Sequence, residues 1–242
     1  MNRRQFLGTT AALTTGLGAF AGSSGLLSLT AADGAPEAKS SAKKLSPPAK
    51  GPVTVAILVS RGVNVIDFSG PWGVFESVSL PNVDGFPFRL LAVADTTDVV
   101  TSASGLKIKP HNTFADVGKV NVVVIPAQSG SDAMRDWLRK SVPDTDVTMS
   151  VCTGAFHLAK AGLLNGLDAT THHEFLDDME KKYPEIRVKR GVRFVENDKI
   201  STAGGLTSGT DLSLRVVERY FGREVAKATA LYMEYRGTEW MV

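Results

Sequence analysis

The sequence holds one cysteine, Cys152, and its neighbours put it where a cysteine can do chemistry. The apolar run from Val147 to Val151 ends at Cys152-Thr153-Gly154, and Ala155 to Leu164 resumes helical periodicity at once. A residue between a buried strand and a helix start occupies a sharp turn, with its side chain at the carboxyl edge of the sheet and helix-terminal N–H groups close by. The positive end of the helix favours thiolate over thiol, so a pKa below the free value of about 8.5 is expected. The competing reading is an inert, small apolar side chain. A flanking Thr-Gly at a strand-to-helix corner speaks against it. Without a second thiol, an intrachain disulfide and any multi-cysteine metal site are excluded. His172, His173 and Glu174 adjoin, but successive residues on a strand point apart and neither His-x-His nor His-x3-His spacing occurs. No metal site is expected, and no cofactor.

The elements that must position Cys152 alternate between strand and helix. Val53 to Val59 is a short apolar run rich in β-branched residues, the pattern of a strand buried on both faces of a parallel sheet. Asp67-Phe68-Ser69-Gly70-Pro71 then introduces a helix from Trp72 to about Ser79, with Pro71 in its first turn. Phe86 to Ala94 and Val120 to Pro126 read as further strands, and Val99 to Pro110, with Ser104-Gly105, as a hairpin excursion. Ser131 to Lys140 is a helix with an acidic start and a basic end. After Asn165-Gly166 turns the chain, Ala169 to His172, Phe175 to Lys182, Val188 to Val195 and Ile200 to Ala203 continue the succession. Two helices fit Ser208 to Phe221 and Arg223 to Tyr235, with Gly222 between them. Such alternation implies a mostly parallel sheet covered on both faces, with ligands bound beyond the carboxyl ends of the strands.

Composition sets outer limits. With 242 residues, 43% hydrophobic and 21% charged, the chain can bury a core and is neither collagenous nor a disulfide miniprotein. The net charge of +2 comes from the first fifty residues, and 21 basic and 23 acidic residues follow them. Nucleic acid is not expected as a partner, because no basic run after residue 50 could displace counterions from phosphates. Met1 to Leu7 reads MNRRQFL, a twin-arginine pair before a weakly apolar Ala/Thr/Gly/Leu stretch, which resembles a twin-arginine export signal. Residues 1–34 are therefore expected to be a cleaved signal and not a lasting membrane anchor, with Thr30-Ala31-Ala32 suited to cleavage. A periplasmic or otherwise exported protein follows. Residues 35–52, rich in Ala, Pro, Ser and Lys, have linker composition, and residues 53–242 should form the folded domain.

Three separated motifs resemble one known family. Ser150-Val151-Cys152-Thr153-Gly154-Ala155, followed by Ala161 to Gly166 and Ala169-Thr170-Thr171-His172, is similar to the cysteine-elbow region of the ThiJ/PfpI superfamily. Asp67 to Pro71 after the first strand, and Ala203-Gly204-Gly205-Leu206-Thr207-Ser208-Gly209-Thr210-Asp211 before a late helix, match its isonitrile hydratase-like branch in order and spacing. The resemblance spans about Val53 to Met233. It implies a flavodoxin-like α/β sandwich, usually homodimeric, acting on a small molecule.

For chemistry, the resemblance implies Cys152 as nucleophile, Asp67 as proton donor and acceptor, and Thr153 as a hydroxyl that holds the sulfur or orients water. Gly70, Gln128, His172 and Gly205 are expected around the substrate. An isonitrile would be captured on sulfur as a thioimidate and hydrated to an N-substituted formamide. Asp67 fits equally as a cap for the helix near Pro71, and Thr153 as a backbone partner in the turn. Gly204-Gly205 fits a tight turn shaping the pocket or the plain end of a strand. His172 is expected at a strand end on the pocket side, not as a base.

Two departures matter. Peptidase-like relatives place a histidine near the nucleophile, often directly after it, where Thr153 stands here, so proteolysis is disfavoured. Pro126-Ala127-Gln128-Ser129-Gly130 replaces a frequent Gly-Gly, so Gln128 is expected to offer the pocket a backbone N–H and a polar side chain. A ligand-binding sensor domain and a stress-protective thiol, deglycating or oxidised to a sulfinate, stand as alternatives. Only Arg236 to Val242 follow the last expected helix, so no DNA-binding segment is expected there.

Overall fold

A computed structural model describes residues 42–81 and 83–242. Its strands are β1 (Val53–Leu58), β2 (Phe88–Ala94), β3 (Val100–Thr101), β4 (Lys107–Ile108), β5 (Asn112–Thr113), β6 (Val122–Ile125), β7 (Val147–Val151), β8 (Asp168–Ala169), β9 (Arg187–Val188), β10 (Phe194–Glu196) and β11 (Ile200–Ala203). Its helices are α1 (Val65–Glu76), α2 (Asp132–Ser141), α3 (Ala155–Lys160), α4 (Leu176–Lys182), α5 (Ser208–Phe221) and α6 (Arg223–Tyr232). Seven strands form one sheet in the order β10-β11-β7-β6-β1-β2-β5, parallel except where β10 runs against β11. This is the expected flavodoxin-like sandwich with a mostly parallel sheet.

The alternating pleat builds two cores. Val55, Ile57, Val124, Met149 and Val151 face Val74 and Phe75 of α1 and Leu212 and Val216 of α5. Ala56, Leu58, Val123 and Ile125 face Met134 and Leu138 of α2, Leu158 of α3 and Met179 of α4. β3 and β4 pair as the expected hairpin.

Four expectations are corrected. The first helix begins at Val65, well before Trp72, because Asn64 caps it by accepting the Ile66 N–H at 3.2 Å. Asp67 is therefore inside the helix and is not its cap, and Pro71 lies in mid-helix with no N–H for the Asp67 carbonyl. The strand expected from Ala169 to His172 is confined to Asp168–Ala169, which pairs with β9 in a separate two-stranded sheet, and His172 instead caps a 3-10 turn over His173–Phe175. The strand expected from Val188 to Val195 is two strands, β9 and β10, in different sheets.

The readings of residues 1–34 and of the Thr30-Ala31-Ala32 cleavage site lie outside the described residues. Within the stretch of linker composition, Leu45 donates its N–H to the Arg219 carbonyl at 2.8 Å, and Arg219 Nε donates to the Lys43 carbonyl at 2.9 Å. No helix among the described residues is long and apolar enough to cross a membrane.

Candidate active site

The strand order explains how residues far apart in the chain meet. Cys152 follows β7, Asp67 lies on the helix after β1, and the segment 126–130 follows β6, the strand between them. All three therefore emerge at the carboxyl edge of neighbouring parallel strands, about 5 Å apart from strand to strand.

Cys152 has φ of 57°, a left-handed conformation that costs a non-glycine residue about 1–2 kcal/mol. The elbow is held in that strained shape from several sides. Cys152 N–H donates to the Gly204 carbonyl at 2.8 Å, and the Thr171 hydroxyl donates to the Cys152 carbonyl at 2.9 Å. Gly154 is obligatory, because a Cβ there would lie 2.0 Å from the Ile125 carbonyl oxygen. Cys152 is only 7% exposed. Around the sulfur stand the Thr153 N–H and hydroxyl and the Leu206 N–H, all of which favour the anion.

Asp67 reaches the sulfur because of helix periodicity. Asp67, Pro71, Val74 and Phe75 make the buried stripe of α1, so a carboxylate occupies a position that helical spacing reserves for apolar residues. It is fully buried. Oδ2 accepts the Ala127 N–H at 3.1 Å, while no nitrogen or oxygen donor reaches Oδ1. Burial raises its pKa to about 6, against the opposing pull of the Ala127 N–H and the Cys152 thiol.

The thiol itself overturns the expectation of a depressed pKa. Burial, and next the Asp67 charge, push Cys152 up to about 11, and the N–H groups and hydroxyl around the sulfur do not compensate. At neutral pH the proton therefore sits on sulfur and Asp67 is its acceptor. The pair is a thiol with a built-in base.

The other expected residues divide. The Thr153 hydroxyl and N–H both face the sulfur, so the residue serves the turn and the site together. Gly205 abuts His172: a Cβ on Gly205 would lie 2.5 Å from the ring Cδ2, so close approach, not a tight turn, requires glycine there. His172 Nδ1 accepts the Glu174 N–H at 3.3 Å, and its ring contacts His173 and Phe175. Gly70 packs against Thr210 of α5, where a Cβ would meet the threonine Oγ1 at 3.2 Å.

Gln128 differs from expectation. The difference is in the side chain, whose amide donates to the Leu58 carbonyl at 3.2 Å beside Met134 of the second core. A donor for the carbonyl of the last residue of β1 turns the polar side chain inward.

Reasoning from the sequence gave no role to Leu206, Thr171, Ala127 or His157. The signal for Leu206 was its position after Gly204-Gly205, and for Thr171 its place beside His172. Backbone donors such as Ala127 carry no side-chain signal. Among the described residues no three His, Cys, Asp or Glu side chains converge as a metal ligand set.

A strained cysteine between strand and helix, with a buried carboxylate from the first βα unit, defines a cysteine-elbow α/β protein of the flavodoxin-like kind. The DJ-1/PfpI family model matches residues 53–219, and the chain belongs to that family. It is 32% identical over 187 residues to the isonitrile hydratase of Pseudomonas putida, a match covering 75% of this chain and 78% of that protein. It is 27% identical over 132 residues to the HTH-type transcriptional regulator CdhR of Pseudomonas aeruginosa, covering 52% of this chain but 39% of the regulator. In structure it resembles a ThiJ/PfpI family protein from Pseudomonas syringae, with a TM-score of 0.68 and 26% identity over 88% of this chain and 85% of that one. Drosophila melanogaster DJ-1beta shares the fold, with a TM-score of 0.67 and 17% identity over 77% of this chain and 100% of that one.

Proposed function

We propose that the protein is a cysteine-dependent hydratase that converts a small isonitrile to an N-substituted formamide. The observation that carries this reading is the fully buried Asp67 carboxyl set beside the thiol of the strained Cys152 elbow, where burial raises the carboxyl to about 6 and the thiol to about 11. Hydration of an isonitrile needs a nucleophile on the terminal carbon and a proton delivered to the same carbon. One thiol and one carboxylate supply both. As sulfur attacks, Asp67 takes the thiol proton, the S–C bond forms, and Asp67 passes that proton to the same carbon to give the thioimidate R–N=CH–S–Cys152. Water then adds to this carbon as Asp67 takes one of its protons and passes it to the imine nitrogen, the other staying on oxygen, to give R–NH–CH(OH)–S–Cys152. Collapse forms the C=O bond and breaks the C–S bond, Asp67 carrying the hydroxyl proton to the departing sulfur as R–NH–CHO leaves. The Leu206 and Thr153 N–H groups and the Thr153 hydroxyl stabilise the charge on sulfur as it develops and as it leaves.

The 32% identity to an isonitrile hydratase over most of both chains supports this choice of substrate. A protonated, buried thiol disfavours the oxidation-sensing reading, since oxidation follows thiolate character and exposure. His172, Gly205 and Gly70 are proposed to flank the substrate. We propose a homodimer, and export to the periplasm by the twin-arginine route, which replacing Arg3 and Arg4 by Lys should abolish in cell fractionation.

Incubation with cyclohexyl isonitrile, with formamide followed by chromatography, tests the activity. Cys152→Ala should abolish formation, and Asp67→Asn should reduce it by about 100-fold or more, the range expected for a lost acid–base group. Identical slow conversion by the parent and both variants would remove the hydratase reading.

A further inference from the structure

His157 is a buried titratable residue with no part in the chemistry above. It lies on α3, the helix that leaves the Cys152 elbow, and is 4% exposed. Its Nε2 stands 3.1 Å from the Gln128 carbonyl oxygen. A carbonyl oxygen only accepts, so Nε2 carries the proton and donates. Its Nδ1 is buried with no partner. The site is shaped around this ring: Gly130 adopts φ of 65°, and a Cβ there would lie 2.4 Å from the ring Cε1. Burial keeps the imidazole neutral, and the charges of Arg135 and Lys160 reinforce this against the pull of the Gln128 carbonyl.

The bond matters because of what lies one residue away. Ala127 is clamped on both sides by the first turn of α1, its carbonyl accepting the Asn64 N–H at 2.9 Å and its N–H donating to Asp67 Oδ2 at 3.1 Å. Ser129 N–H donates to the Arg61 carbonyl at 3.1 Å, and Gly130 N–H to Ser60 Oγ at 2.8 Å. These contacts all tie the 127–130 segment to the carboxylate's side of the site. From the thiol's side, Gly154 presses on the Ile125 carbonyl and His157 holds the Gln128 carbonyl.

We propose that His157 is a positioning residue for Asp67, its Nε2–H anchoring the Gln128 carbonyl so that the Ala127 N–H stays on the carboxylate facing Cys152. The inference rests on the reading of Asp67 and Cys152 as a coupled pair and not on the identity of the substrate. His157 acts through backbone and touches neither sulfur nor substrate.

The experiment measures alkylation of Cys152 by iodoacetamide near pH 8.5 by intact mass, a readout independent of hydratase activity. His157→Leu removes the donor. His157→Gln keeps a terminal N–H at similar reach. Both are made in the parent and in the Asp67→Asn background, with urea midpoints recorded. Because the Asp67 charge holds the thiol protonated, loss of its anchor should speed alkylation about threefold or more in His157→Leu. The rate should return toward the parent's in His157→Gln, and His157→Leu should have no further effect once Asp67 is Asn. An unchanged rate in His157→Leu, the same acceleration without the carboxylate, or a glutamine that behaves like leucine would each overturn the assignment. Should His157→Leu not fold, His157→Asn, too short to reach the carbonyl, makes the same comparison. If the parent protein does not hydrate isonitriles, these rates still decide the role of His157.

Discussion

Two aspartates are fully buried in the first turns of two helices that pack together, Asp67 on α1 and Asp211 on α5. The helices touch through small residues, Gly70 against Thr210 and Gly209 against Pro71. Burial pushes both carboxyls above the ordinary carboxylate range, but their partners differ. Asp211 Oδ2 accepts Arg193 Nε at 2.7 Å and its Oδ1 accepts the Tyr235 hydroxyl at 2.8 Å, while Arg193 also bonds Thr207 in the loop beside Leu206. Although burial opposes it, the Asp211 contact holds the Arg193 guanidinium above its ordinary pKa. Asp67 receives one backbone N–H and a thiol. A buried charge given a cation and a hydroxyl becomes a fastening. A buried carboxyl whose partners are one backbone N–H and a thiol has no cation to hold its charge and, titrating near 6, can move a proton.

The largest effect should come from breaking the fastening. Asp211→Ala leaves Arg193 and Tyr235 without their acceptor inside the α5 contact, and should cost about 2–4 kcal/mol in urea unfolding, less than a wholly buried pair because the Arg193 side chain is 35% exposed. A loss below that of an ordinary surface substitution would erase the distinction between the two carboxylates.

Asp67→Asn should act with the opposite sign. The native carboxyl titrates near 6 and the unfolded one near its ordinary 3.8, so between these values the native state holds a proton that the unfolded state has lost. Its contribution to stability therefore falls as pH rises from about 4 to about 6, and the full cost persists above that window. Asparagine keeps an acceptor for Ala127 without the charge. It should stabilise the fold by about 1–3 kcal/mol near pH 7.5 and by nothing near pH 3.5. Urea midpoints for the variant and parent across this range give the test, and equal differences at both ends would contradict the shift.

The contrast also marks how far the sequence could be read. The strand–turn–helix rhythm around Cys152 was legible, because buried strands and turn residues write themselves in composition. Where α1 begins was not, since Pro71 is a strong local signal for a helix start and the packing stripe of Asp67, Val74 and Phe75 overrode it. The direction of the Cys152 shift was misread for a related reason. Helix-end N–H groups follow from sequence, but desolvation and an aspartate from another element are set only by tertiary packing. Gln128 reads as a pocket residue until the Leu58 carbonyl beneath it is seen.

The thiol reports on Asp67 more directly than stability does. Its second-largest upward influence is the Asp67 charge, after burial. Asp67→Asn should therefore lower the Cys152 pKa and speed iodoacetamide alkylation near pH 8.5 about threefold to tenfold, part of the gain in thiolate being offset by its lower nucleophilicity. Asp211→Asn should leave that rate within about twofold.

Tyr235→Phe removes one partner from the well-satisfied carboxylate and should have the smallest effect. Burial, and then the Asp211 contact, push the phenol up to about 12, so at neutral pH it is a neutral donor to a carboxylate. Arg193 still holds Oδ2, so the loss should be about 1 kcal/mol. The variant keeps the ring that packs on Gly237, which separates the hydrogen bond from the apolar contact. If Tyr235→Phe cost as much as Asp211→Ala, the hydroxyl and not the guanidinium would be what fastens α5, and the difference between the two aspartates would rest on a tyrosine.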